Sequence, residues 1–375
     1  MNLYNYTKNI YRWGLSIFYK IYGLLIWAST TPKVIMFKST NKKRLLCVYD
    51  LTSQPFSIGD FINFNQASMV LGFKNEIEKI DIAIINNLTK INISKEFSKI
   101  NSENSLYFLS SILPIVQINN KIGEIFILDS HISFERFVIE NYKIYYIWPN
   151  LKKYINKNYC YYTVFDDIFY PFFLKNKYLP KLKLNSFLEN WAINFFQLNL
   201  ENQIPVTINL RLNKFHALDR NSNIEVWLIF FQYCLNKFNV KFIIICGYSE
   251  IDNRFRDLKN VILAKDLNTT IEEELSLINN SALHLGSASG PISVAWFSQN
   301  PYIMFSWNGD ANTNKCIVKE NEYFYKFNFA TEMQKITNSQ ETFEVLIKEF
   351  PIMLEKSKYT LSRLEKSEIA TSWLK

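Results

Sequence analysis

Residues 269–305 read TTIEEELSLINNSALHLGSASGPISVAWFSQNPYIMF. Thr270 to Asn279 carries apolar residues at helical spacing, and the acids Glu272 to Glu274 suit the first turns of a helix, where they complement its dipole. Ala282 to Leu285 is a short apolar run that reads as a buried strand, with His284 packed inside it. Five small residues, Gly286-Ser287-Ala288-Ser289-Gly290, then lead to Pro291, which is well placed in the first turn of a helix over Pro291 to Ser298. Tyr302 to Phe305 follows as another strand. This alternation is the pattern of an open parallel α/β sheet. In such sheets ligands bind beyond the carboxyl ends of the strands, where loops without bulky side chains let backbone N–H groups approach a phosphate. A tight strand-to-helix turn without a ligand would use the same small residues.

The same alternation extends in both directions from this stretch. Upstream lie a strand over Pro205 to Leu210, a helix over Ile224 to Phe238, a strand over Lys241 to Cys246 ending at Gly247, and a short strand over Val261 to Leu263. The first half repeats the pattern: strand Arg44 to Asp50, a loop ending in Gly59-Asp60, helix Phe61 to Leu71 and strand Ile80 to Ile85. It continues with strand Glu124 to Asp129, a helix near Phe134 to Asn141 and strand Ile144 to Trp148. Tyr154 to Pro180 is aromatic-rich and irregular, and a helix spans about Ser186 to Leu198. The tail from Glu341 to Leu374 reads as helix divided at Pro351. The expected organisation is an N-terminal amphipathic helix (1–30), a first Rossmann-like domain (43–200), a second (203–335) and C-terminal helices (336–375).

Composition narrows the function. Among 375 residues, 48% are hydrophobic and 16% aromatic, enough for two cores, and the net charge is +8. The basic residues are scattered, so nucleic-acid binding, which wants a concentrated stripe or a reading module, is not expected. A mildly positive surface suits an anionic substrate or membrane face. The five cysteines (Cys47, Cys160, Cys234, Cys246, Cys316) lie far apart without CxxC spacing, and read as reduced core thiols of a cytoplasmic protein. Lys8, Arg12, Ser16 and Lys20 share one helical stripe, while the apolar run Ile21 to Ala28 is too short to span a bilayer. Two readings stand for this segment: a peripheral anchor at the inner membrane face, or a helix packed on the protein.

The run from Thr269 to Phe305 resembles the donor-binding segment of lipopolysaccharide heptosyltransferases and related GT-B glycosyltransferases, in which an SGP turn precedes a helix and a proline-led strand. The resemblance covers about 37 residues in order and spacing, and differs at Ala288, where those enzymes usually carry an acid, and at Ser293, where they carry a polar residue, His. Asn209-Leu210-Arg211, with Arg220 nine residues on, resembles the His-x-Arg element of fucosyltransferase-like and surface-polysaccharide transferases, with Asn209 in place of the His. Ser57-Ile58-Gly59-Asp60 resembles the Gly-Asp turn whose acid is the proposed general base of heptosyltransferases. The resemblance implies a GT-B fold and transfer of a sugar from a nucleotide-sugar donor to a glycan or lipid-linked acceptor. It implies no cofactor, and no DxD element points to an obligatory metal.

On that reading Asp60 is the first candidate base and His131, in Asp129-Ser130-His131 at a strand's carboxyl end, belongs to the second; an acid at a helix start is equally an ordinary N-cap. The donor set is Asn209, Arg211, Arg220, Gly247, Tyr248, Asp266, Ser287, Ser289, Gly290 and Pro291. An arginine fork suits a diphosphate, Tyr248 a base, and the acid after Lys265 a ribose. Asp166-Asp167 is placed for sugar hydroxyls or for solvent, and His216 for phosphate or solvent. The alternatives are a nucleotide-sugar epimerase or pyruvyl transferase of similar fold, and a non-catalytic nucleotide-binding protein.

Overall fold

RLLCVYD, residues 44–50, has no charged side chain between its two charged ends, and such a strand is stable only with both faces covered. In the computed structural model, which describes residues 43–51, 54–86, 104–141, 144–149, 164–214, 217–309 and 315–357, this segment is β1 (Arg44–Asp50), buried from Leu45 onward. The proposed amphipathic helix over residues 1–30, Cys160 and His216 lie outside the described residues.

The chain divides into two compact units. The first comprises residues 1–56, 71–105 and 121–163; the second comprises 57–70, 106–120 and 164–375. Residues 57–70, 106–120 and 164–200 therefore group with the second sheet, whereas the sequence expectation carried the first domain through to residue 200.

In the first unit β1 pairs in parallel with β2 (Lys79–Ile85) and β4 (Tyr145–Trp148), and β2 with β3 (Ile122–Leu128), giving the order β3-β2-β1-β4. Leu46, Val48, Ala83 and Ile85 pack against Phe134 and Val138 of the helix His131–Asn141. The most deeply buried charge is Asp81, which accepts from the Arg44 fork through Nε and Nη2 at 2.7 Å each and from the Glu124 amide at 2.7 Å. A buried carboxylate needs such complete pairing.

The second unit holds β5 (Ile204–Asn209), β6 (Val240–Ile245), β7 (Val261–Leu263), β8 (Leu283–Ser287), β9 (Tyr302–Phe305), β10 (Ile317–Lys319), β11 (Tyr325–Phe327) and β12 (Gln334–Ile336). Their order is β10-β11-β12-β9-β8-β5-β6-β7. The run β7-β6-β5-β8-β9-β12 is parallel throughout, the doubly wound order of a Rossmann sheet, and β10 and β11 add an antiparallel edge. Helix α5 below is Ile224–Cys234, whose Trp227, Phe230 and Phe231 form the main core with Phe242, Ile244 and Leu346, Phe350 and Met353 of the final helix.

The helices referred to below, in chain order, are α1 (Ile58–Lys74), α2 (His131–Asn141), α3 (Tyr170–Asn176), α4 (Ser186–Asn199), α5 (Ile224–Cys234), α6 (Ile271–Asn280), α7 (Ser293–Trp296) and α8 (Phe343–Lys356). Four expectations are corrected. The described part of the aromatic stretch is not irregular: a π turn over Phe165–Phe169 runs into α3, because Phe165 stacks on Phe327 at 5.4 Å and Phe169 meets Phe297 at 5.2 Å, a tertiary reason without helical periodicity. Helix α5 stops at Cys234, where the chain turns. Pro351 does not divide α8, whose buried face of Leu346, Phe350 and Met353 holds it continuous. The helix expected over Pro291 to Ser298 is only the four-residue α7, entered through turns at 290–292. Among the described residues, no helix is long and apolar enough to cross a membrane.

Candidate functional site

Strand order reverses between β5 and β8, the switch point at which a doubly wound sheet opens a crevice beyond its carboxyl ends. The sequence places its two small-residue and arginine motifs there. Gly286 pairs with Asn209 across the strands, and a Cβ on it would stand 2.3 Å from the Asn209 carbonyl oxygen, so only glycine permits this approach. Ser289 Oγ donates to Asn209 Oδ1 at 2.9 Å. The hydroxyls of Ser287 and Ser222 meet at 2.7 Å, and Ser222 Oγ also accepts the Arg211 amide at 3.0 Å. Two hydrogen-bonded groups thus stand at the strand ends, Asn209 with Ser289, and Ser287 with Ser222 and the Arg211 amide.

The turn that follows leaves backbone donors over. The Ala288 amide bonds Phe305 O at 2.8 Å and the Ser293 amide bonds Gly290 O at 3.2 Å, while those of Ser289, Gly290 and Ile292 have no hydrogen-bond partner among the described residues. Because α7 is one turn long, attraction for an anion comes from these amides and not from a helix macrodipole.

The Gly59-Asp60 turn lies against this corner, within the same unit. A Cβ on Gly290 would sit 2.7 Å from Ile58 Cβ and 3.0 Å from the Gly59 nitrogen; a Cβ on Gly59 would sit 3.2 Å from Ser293 Oγ and 3.4 Å from Gly290 Cα. The two glycines let two backbones touch that are more than 200 residues apart in sequence. Asp60 opens α1, where Ser57 Oγ donates to its carboxylate and accepts its amide at 3.3 Å. Burial pushes the Asp60 pKa above the ordinary carboxylate value, and the Ser57 hydrogen bond opposes the shift. The direction makes it a stronger base.

The arginines divide the work. Arg211 is buried, and its Nη1 donates to Ala217 O at 2.7 Å and Asn221 Oδ1 at 2.8 Å, pinning its own loop. Burial lowers its pKa, and the neighbouring Arg220 charge lowers it further. Arg220 has a buried Nε without a hydrogen-bond partner and makes no ion pair among the described residues. Two close guanidiniums, one with an unanswered donor, form a cationic locus that suits a phosphate. Glu250 stands behind them, accepting the amides of Leu212 and Gly247 at 3.1 Å each.

Gly247 and Tyr248 follow β6, and the Tyr248 ring is 65% exposed, with Lys265 Nζ 5.4 Å from its centroid. Lys265 itself is paired with buried Glu274 at 2.8 Å, so Glu274 is not a solvent-facing decoration of α6. Asp266 takes both arms of Arg256 at 2.7 Å and is exposed.

In the first unit His131 Nε2 lies 2.7 Å from Oδ2 of Asp50, a partner that sequence reading missed although Asp50 ends β1. Asp129 accepts from the Ser130 and Ser133 hydroxyls, which draw its pKa down, and this cluster caps α2. Asp166 has a buried, unpartnered Oδ1, and Asp167 is exposed. His284 is a core histidine: it is fully buried, Nδ1 is 2.9 Å from Thr207 Oγ1, and burial pushes its pKa down to about 3. The four cysteines within the described residues are buried and form no disulfide. No cluster of three or more metal-binding side chains occurs among the described residues.

Among solved structures the chain is similar to a glycosyl transferase family 9 protein from Veillonella parvula DSM 2008, at 13% identity over 84% of this chain and 98% of that one, with a TM-score of 0.51. It is also similar to E. coli ADP-heptose lps heptosyltransferase II, at 9% identity over 84% and 100% of the two chains, with a TM-score of 0.45. The first of these likenesses carries the fold: α/β of the GT-B type, as the sequence resemblance implied. No protein-family model and no curated protein matches the sequence.

Proposed function

We propose that the chain is a glycosyltransferase that moves a sugar from a nucleotide-sugar donor to a glycan or lipid-linked acceptor. The observation that carries this reading is the backbone contact between Gly59 and Gly290, which sets a carboxylate with a raised pKa beside a turn of unpartnered amides at the sheet's switch point. The donor's diphosphate occupies the turn at Ser287, Ser289, Gly290 and Pro291, whose backbone amides bond its oxygens. Arg220 neutralises charge on the leaving diphosphate, with Arg211 and Asn209 fixing the loop and strand end that carry it. Gly247 and Tyr248 lie on the side of the base, and Asp266 on that of the ribose once released from Arg256. Asp60 takes the proton of the acceptor hydroxyl as the new C–O bond forms and the bond to the diphosphate breaks. His131, oriented by Asp50, is the second candidate for that proton.

With the Arg220 guanidinium at the phosphate and Arg211 close behind it, transfer is expected to need no divalent metal and to persist in chelator. The reaction places the protein at the cytoplasmic membrane face, where such donors and acceptors meet. The test follows release of nucleoside diphosphate from a donor panel with wild type, Asp60→Asn and His131→Gln. Loss of release on Asp60→Asn with donor binding retained supports the assignment; unchanged release overturns it.

A further inference from the structure

The second unit carries a cavity of about 390 Å³ far from the switch point. It opens between α4 and the end of α6, beside the loop that leads into β9. Those residues precede β8 and β9, so the cavity lies at the amino ends of strands whose carboxyl ends bear the phosphate turn. A volume of this order is that of a small-ligand site, on the order of 300–1,000 Å³.

Its lining is chemically specific. Ile193 and Phe196 supply an apolar floor. Asn190, Asn279 and Gln299 present side-chain amides that make no hydrogen bond among the described residues. Lys181 brings an ammonium with no hydrogen bond or ion pair among the described residues, and burial pushes its pKa down to about 8. Structural duties are met by other groups: Asn300 Nδ2 donates to Asn279 O at 2.8 Å and Ile278 O at 3.4 Å and so caps the end of α6, and the Ser281 amide donates to Leu277 O. Lys181 is therefore not needed to close that helix. A second charged side chain lines the cavity, Glu189, whose pKa is raised by burial, so that its negative charge is disfavoured there; Lys183 opposes that rise.

A desolvated ammonium without a partner calls for an anion, unpartnered amides suit hydroxyl groups, which both give and take hydrogen bonds, and an apolar floor suits the C–H face of a ring. We propose that this cavity binds a sugar bearing a single carboxylate, with the carboxylate on Lys181 and the ring on Phe196. The site is separate from the transfer centre and does not depend on it.

The test titrates D-glucuronate, D-glucose and inorganic phosphate into the full chain by isothermal calorimetry. Glucuronate is expected to bind at least tenfold more tightly than glucose at pH 7, and Lys181→Met to abolish the difference while Lys181→Arg retains it. Because Lys181 titrates near 8, affinity of the wild type should fall roughly tenfold between pH 7 and pH 9, a range in which an ordinary lysine stays charged. Equal binding of glucuronate and glucose, or affinity flat from pH 7 to pH 9, overturns the proposal without reference to any variant's folding. Phosphate binding as tightly as glucuronate overturns the sugar assignment and leaves a simple anion site. Donor turnover measured in parallel reports on the transfer centre alone.

Discussion

Replacing Gly290 by alanine tests the contact on which the transfer chemistry rests. The added Cβ would fall 2.7 Å from Ile58 Cβ, 3.0 Å from Ile58 Cγ2 and 3.0 Å from the Gly59 nitrogen. Apolar carbons rest at about 3.5–4.0 Å, so the two turns must part by about 1 Å. One of the obstructing atoms is backbone and the others sit at the root of a β-branched side chain, so no rotamer change relieves the clash. Overpacking of this kind costs about 1–3 kcal/mol, which lowers the melting temperature by roughly 2–10 degrees and leaves the protein folded. The larger effect is on rate, because a misplacement of about 1 Å between reacting groups slows turnover on the order of 100-fold. The assay compares product formation by Gly290→Ala with wild type at saturating donor, alongside donor affinity and a thermal melt. A variant that melts lower yet turns over at the wild-type rate would refute the idea that Asp60 acts from beside this turn.

Arg220→Gln should weaken binding of a nucleoside diphosphate by tenfold or more while leaving the melting temperature within about a degree, since its Nε has no partner to lose. Arg211→Gln should instead lower the melting temperature, because it removes the bonds to Ala217 and Asn221 that pin the loop; calorimetry and melts separate the two. His284 is neutral when folded, with a pKa near 3, and protonates at its ordinary value when unfolded, so its contribution is present above about pH 6.5 and is lost as pH falls towards 3. A melting series on wild type and His284→Asn should show the steeper acid decline in wild type. Gly286→Ala should destabilise more than Gly290→Ala, because its Cβ meets a strand carbonyl at 2.3 Å; comparative denaturant melts decide this.

Much of the parallel framework is legible from the chain because its signals are local. Buried strands such as β1, β6 and β9 are built on short apolar runs, Leu45 to Val48, Phe242 to Ile245 and Tyr302 to Phe305, and the small residues ahead of Pro291 mark a strand-to-helix turn at sight. What escaped has non-local causes. The strands β10, β11 and β12 are three residues each, too short to carry an alternation, and they exist because β9 offers an edge. The π turn at Phe165 is held by Phe327, far along the chain. The candidate site divides in the same way. The motifs point to Asn209, Arg211 and Ser289; in the structure Ser289 bonds Asn209, while the Arg211 amide bonds Ser222, which meets Ser287. Sequence could not show that Arg211 is tied to its own loop, that Asp266 is held by Arg256, or that Asp50 faces His131, because each depends on which side chains fold next to which.

The central claim is that the corner at Ser287 to Pro291, with Arg220, holds a diphosphate. Titration of UDP, GDP, ADP and CMP by calorimetry into wild type and Arg220→Gln tests it directly. The expected result is that one or more of the three diphosphates binds wild type, at least tenfold more tightly than CMP, and that Arg220→Gln removes most of that advantage. Failure of every diphosphate to outbind the monophosphate, or equal affinity in the variant, would contradict it.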